Sequence, residues 1–185
     1  MPIAPASLRP VLPGLLFAVA TLLFGFGLGI VFGFNEAIIK DKLAADAAAV
    51  VATAYAGDTA AAKAVVDKSW SYMQRAHLHA GATGTTAVAL MLVLVGLGVS
   101  ARTTRLLGLA LGVGALGYSV FWLWAGFRAP GLGSTGAAKE SLSWLAMPSS
   151  GLVVAATLAV FLLLCYMLLG GRTRTSAPSS SSVTR

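Results

Sequence analysis

No residue from Val11 to Phe34 carries a charge, and this single fact restricts the chain more than any other. Crossing a bilayer takes about 20 apolar residues. Inside hydrocarbon the backbone must satisfy its own hydrogen bonds, so a stretch of this kind is a helix or nothing. A signal peptide is the competing reading. The run is longer than a usual signal core, and it ends in Gly33-Phe34-Asn35-Glu36 rather than in a small-residue cleavage pattern.

The same pattern recurs. Ala76 to Ala101 has no Lys, Arg, Asp or Glu, and Leu106 to Phe127 is apolar and ends in Tyr118, Phe121, Trp122, Trp124 and Phe127. A fourth run follows Pro148 and fades near Leu169. The expected fold is therefore an all-α integral membrane protein, with four transmembrane helices in an antiparallel bundle. Spans are expected at about 11–34, 77–101, 106–127 and 148–169, within a membrane domain covering 11–169. An extramembrane helical hairpin is expected in 35–76, between spans one and two. Residues 1–10 read as a cytoplasmic tail. The basic and then serine-rich 170–185 read as a disordered cytoplasmic tail.

Composition agrees: only 10% of the residues are charged, against about 25% in soluble domains. The net charge of +7 points to membrane topology and anionic lipid headgroups rather than to nucleic acid, for which no motif is present. The lone Cys165 sits in an apolar run and reads as a small core residue. Arg9, Arg102, Arg105, Arg172, Arg174 and Arg185 fall on one side of a four-span protein. That side is expected to be cytoplasmic in a cell inner (plasma) membrane.

Small residues predict where helices approach. Gly25, Gly29 and Gly33 recur every four positions, as do Gly151, Ala155 and Ala159. In the polar segment, Glu36/Lys40, Lys42/Asp46 and Lys63/Asp67 can pair one helical turn apart. Gly57-Asp58-Thr59 marks a break, with Asp58 or Thr59 capping the next helix.

Four spans bring several polar groups to the outer level. The expected cluster is Glu36, Arg75, Arg128, Lys139 and Glu140, with His77 and His79 as candidate cofactor ligands. Glu36 is expected near Arg75 or His77, since the end of span one and the start of span two share that level. As plain structure the cluster would be ion pairs closing the end of the bundle. His77 and His79 are two positions apart, so on an intact helix they point about 200° apart and cannot share one metal. His77 shares a face with Met73, Gly81 and Gly84, which offers room for a close helix or a flat cofactor. A haem b would use His77 with Met73, Met147 or a second copy as the other ligand. The plainer alternative is a pair of hydrogen-bonded structural histidines.

Gly131 to Gly136 contains GxGxxG, but Lys139 comes too late for a phosphate loop and no strand precedes it. A flexible turn is expected there, with backbone N–H groups free to hold an anion. No triad, metalloprotease helix or paired-carboxylate site is visible. The expectation is a non-enzymatic accessory or interaction subunit. Its partners would be the lipid bilayer and either other proteins or further copies of itself. A haem- or quinone-binding electron-transfer protein using His77 is the alternative. Transport is disfavoured, because no ionisable residue lies mid-span.

Overall fold

The computed structural model describes residues 8–170, and most of the expected tails 1–10 and 170–185 lies outside the described residues. The described residues form helices joined by short turns, without strands. The elements are α1 (Leu12–Ala48), α2 (Val51–Ala54), α3 (Thr59–Leu97), α4 (Ala101–Arg128), α5 (Thr135–Glu140) and α6 (Ser143–Gly170). Four of these helices, α1, α3, α4 and α6, are long and apolar enough to cross a membrane.

Their lengths differ in an informative way. α4 and α6 each have 28 residues, while α1 has 37 and α3 has 39. At about 1.5 Å per residue the longer pair exceeds the shorter by roughly 15 Å. The polar segment is built from the continuations of α1 and α3. α1 changes direction at Asn35, whose φ of −161° and ψ of 83° leave the helical region. Gly33 and Asn35 are both weak helix formers, and the first charge, Glu36, follows at once.

At the tip, Ala56 and Gly57 have positive φ values of 50° and 85°. Asp58 then caps α3, its carboxylate accepting from the N–H groups of Ala60 and Ala61 at 2.9 Å each. Of the two cap candidates, the first is used. Lys40, Lys42 and Lys63 pair with Glu36, Asp46 and Asp67, each one turn away, as the spacing predicts.

Helix neighbours follow from small residues. Gly84 lies against Ala18 and Leu22, Ala80 against Gly25, and His77 against Gly29, so numbers fall along α3 as they rise along α1. Met73 and Ser69 reach Gly126, and Met91 reaches Gly108, giving the same opposed order between α3 and α4. Gly114 meets Ser149 and Val153, while Gly117 meets Leu145, so α4 and α6 are also opposed. Between α1 and α4, Gly14 meets both Gly108 and Gly112 at backbone-to-backbone contact. A side chain at Gly14 would occupy the place of the Gly108 carbonyl.

α4 is therefore the hub, touching α1, α3 and α6, while α6 leans on α4 and has only slight contact with α3. The packing face of α6 is Leu145, Ser149, Ala156 and Val160, not the expected small-residue face. Gly151 and Ala155 are exposed, and no atom would meet a side chain at Gly151. The groove that receives α6 is carved in α4, by Gly114 and Gly117, so α6 needs no small face of its own. Pro148, expected to open the fourth helix, lies inside α6.

The main core lies toward the arginine-bearing end, built from Val11, Ala18, Met91, Leu94, Leu111, Ala115 and Val160. A second, aromatic core of Tyr72, Phe121, Ala125 and Leu142 sits toward the opposite end. Ala47, Tyr55 and Ala62 form a small third core within the projecting segment.

Candidate functional site

α3 carries both histidines, and its two sides give them different surroundings. On one side the His77 ring rests on α1, in the space that Gly29 leaves open. A Cβ added at Gly29 would stand 2.8 Å from His77 Cε1. His77 Nδ1 lies 2.8 Å from the carbonyl oxygen of Gly25. A carbonyl can only accept, so Nδ1 carries the proton of this contact and Nε2 is the nitrogen it leaves over. Phe32 stands edge-on to His77 at 6.2 Å and to Trp70 at 5.0 Å, and Lys40 caps the Trp70 ring at 5.0 Å.

Two of the three glycines expected to form the α1 groove do so. Gly25 meets Ala80 and Gly29 meets His77, whereas Gly33 faces open space. The helix departs at Asn35, two positions after Gly33, so Gly33 lies at the edge of the close contact with α3. Gly81 is also open, but Leu22 fills the space beside Gly84.

On the other side, His79 faces α4. Its ring is edge-on to Tyr118 at 5.0 Å and nearly parallel to Trp122 at 6.0 Å, with 21° between the planes. Tyr72 completes this group, edge-on to Trp122 at 5.0 Å. Arg75 lies over Trp122 at 5.1 Å and Tyr72 at 5.6 Å, and Lys139 over Tyr72 at 5.9 Å. Aromatic faces attract cations through their quadrupole, by about 0.5–1 kcal/mol where exposed. The indole N–H of Trp122 is buried and has no acceptor among the described residues.

Of the expected outer cluster, Arg75 and Lys139 meet, but through the Tyr72 ring rather than through a carboxylate. Glu36 does not join them. Its carboxylate is held 2.7 Å from Lys40, and no ion pair among the described residues links it to Arg75 or His77. Lys40 is on the same helix one turn on, so it is presented to Glu36 whatever direction that helix takes after Asn35. Arg128 and Glu140 enter no ion pair among the described residues. The group is therefore cationic and aromatic, not a set of ion pairs. Tyr72, Tyr118 and Trp122 are its centre; in the sequence Tyr118 and Trp122 stand out only as part of the aromatic end of the third apolar run, and Tyr72 is not singled out. Their helical spacing, with Tyr118 and Trp122 one turn apart and opposite the α3 pair Tyr72 and His79, was the available signal.

The glycine-rich turn after α4 is anchored rather than flexible. Tyr55 donates its hydroxyl hydrogen to the carbonyl of Pro130 at 2.8 Å, and Gly133, with φ of 67°, packs on Ala54. The N–H groups of Gly136 and Ala137 are taken by the Ser134 hydroxyl, so they are not free for an anion. Tyr55 is buried, and burial pushes its phenol above the ordinary value of 10.0. Beside this tip, Ala44, Ala47, Ala48, Val51, Ala62 and Val66 line an apolar cleft of about 280 Å³. Among the described residues no three His, Cys, Asp or Glu side chains gather as metal ligands would.

No family model, curated protein or solved structure matches the chain.

Proposed function

We propose that this chain is a four-span protein of the cell inner (plasma) membrane, with helices in antiparallel order and both termini cytoplasmic. It acts without catalysis, as an accessory or interaction subunit whose contact surface is the outer end. One observation carries this reading: α1 and α3 continue past the length the membrane requires, and their joined tip is tied down. Tyr55 fixes the tip to Pro130 and Gly133 seats Ala54, so the projecting helices are held at a set angle. A solvated connection between two spans needs no such ties. The cationic, aromatic group of Arg75, Lys139, Tyr72 and Trp122 lies below the tip and completes the surface. The orientation is supported by Arg9, Arg102 and Arg105, which gather at the opposite end.

The test places a photo-crosslinking amino acid at Ala48, in the cleft, and at Leu158, an exposed position on α6. Protein adducts from Ala48 alone are expected, and an adduct at twice the chain mass would identify a second copy as the partner. A monodisperse protein that gives no protein adduct from Ala48 in cells or in native membranes would overturn the interaction role. Orientation is checked separately with Ala49→Cys and Ala101→Cys in a Cys165→Ser background. An impermeant thiol reagent applied from outside should label the first and spare the second.

A second reading is favoured by one contact. With Nδ1–H given to the Gly25 carbonyl, His77 keeps Nε2 as its only basic nitrogen, an arrangement common among histidines that bind metals. A haem or quinone protein using His77 would follow from it. The visible spectrum of the purified protein decides this: a Soret band lost in His77→Ala and kept in His79→Ala is the expected signature.

A further inference from the structure

At the end opposite the projection, Arg9, Pro10 and Pro13 from the entry to α1 and Ala101, Arg102 and Arg105 from the start of α4 line one cleft of about 540 Å³. The three arginines come from two chain segments that the Gly14–Gly108–Gly112 contact holds together. Their position is thus set by backbone packing and not by flexible side chains alone. None of the three enters an ion pair among the described residues. The sequence allows no acidic side chain nearby. All six acidic residues lie between Glu36 and Glu140, in the segments at the other end. Three guanidinium groups around one cleft therefore need an anion from outside the chain.

We propose that this cleft is a binding site for the headgroup of an anionic phospholipid, with the arginines forking onto its phosphate oxygens. The surroundings favour a lipid over a free anion. Leu106 lies one turn from Arg102, and Leu16 one turn from Pro13, so each shares a helix face with a cleft residue. Both leucines are exposed, Leu16 at 70% and Leu106 at 57%. A phosphate seated among the arginines would have its acyl chains running over these leucines. Basic pockets between helices at the cytoplasmic face are known to take such headgroups. This site depends on the membrane-spanning arrangement but not on the proposed partner, so a failed Ala48 crosslink leaves it untouched.

Native mass spectrometry of the full chain, released from detergent, tests the site with phosphatidylglycerol, cardiolipin, phosphatidylcholine and inorganic phosphate as separate probes. The expected result is one retained phosphatidylglycerol or cardiolipin and no retained phosphatidylcholine. A surface arginine contributes about a fivefold change in anionic-lipid affinity. Replacing Arg9, Arg102 and Arg105 by glutamine should then weaken retention about a hundredfold. Because those charges also direct insertion, the Arg→Lys triple variant is the second arm. It keeps the charge and loses the fork, and should show a smaller but clear loss. Equal retention of phosphatidylcholine would overturn the proposal, as would wild-type retention in the glutamine variant. Displacement of the lipid by millimolar phosphate would also overturn it, since the cleft would then hold a free anion.

Discussion

The two sides of α3 solve the same problem by opposite means. On the α1 side, packing works by removing side chains. Gly25 and Gly29 let the helices close until an imidazole can reach a main-chain carbonyl. On the α4 side, at the level of His79, packing works by adding them: Tyr72, Tyr118, Phe121 and Trp122 fill the space, and His79 is one more ring among them, while Gly126 and Gly108 make room for α3 above and below. Two histidines two positions apart thus hold different jobs, because a helix turns about 200° between them. His77 is valued for its N–H, and His79 for its plane.

Substitutions can break that contrast. The largest effect is expected where the obstacle is main chain. A side chain at Gly126 would meet Met73 at 2.8 Å and the Ser69 carbonyl at 3.0 Å, and the carbonyl cannot move aside. Gly126→Leu should cost about 1–3 kcal/mol or more by overpacking, read as a fall in melting temperature in detergent. Gly29→Leu should cost less, because the His77 ring can rotate away, and Gly33→Leu should cost nothing. Equal losses at Gly126 and Gly33 would mean the packing register is wrong.

Next comes the tie at the tip, which lies on the α4 side. Tyr55→Phe removes a buried hydrogen bond worth about 1 kcal/mol. Burial raises the phenol above its ordinary value, so folding favours the protonated form. Its contribution is complete below the unfolded pKa of 10.0 and disappears as pH rises through the higher folded value. Ultraviolet titration should show one late-ionising tyrosine that Tyr55→Phe abolishes. Its persistence would assign the late phenol to another residue.

The sharpest comparison is His77→Phe against His79→Phe. The first loses the bond to Gly25, worth about 0.5–1.5 kcal/mol, while the second keeps a ring against Tyr118 and Trp122 and should be close to neutral. Reversed effects would refute the division of labour. A smaller loss than that of His77→Phe is expected for Arg75→Gln, which removes cation–aromatic contacts at an exposed guanidinium worth together about 0.5–1 kcal/mol, read by denaturation at low salt.

What the sequence makes legible here is what short-range chemistry decides. The absence of charge marks the four long helices, one-turn spacing marks the three ion pairs, and Gly-Asp-Thr marks the cap of α3. Contacts between helices are less legible. Glu36 had a partner one turn away and others expected across the helix interface, and the near one won. The α4 glycines escaped notice because they serve different neighbours. Gly112 faces α1, Gly108 faces both α1 and α3, Gly114 and Gly117 face α6, and Gly126 faces α3, so beyond the Gly108–Gly112 pair no stripe of regular four-residue spacing announces them. In the expected stripe of Gly151, Ala155 and Ala159, the first two are exposed and only Ala159 is partly covered. Small residues permit close approach without requiring it, and only the partner's position decides which are used.

The contact of Gly14 with Gly108 and Gly112 has a bearing on how the protein comes to be made. α1 leaves the ribosome first, yet its partner at that contact belongs to the third long helix in the chain. Until α4 joins it, the Gly14 backbone is uncovered, although Val11 and Ala18 of the same end already share a core with Met91 and Leu94 of α3. A nascent chain that ends after Leu97 has α1 and α3 paired through Gly25, Gly29 and Gly84, but an unclosed seam near Arg9. The seam at the Gly14 end thus closes only when α4 is in place.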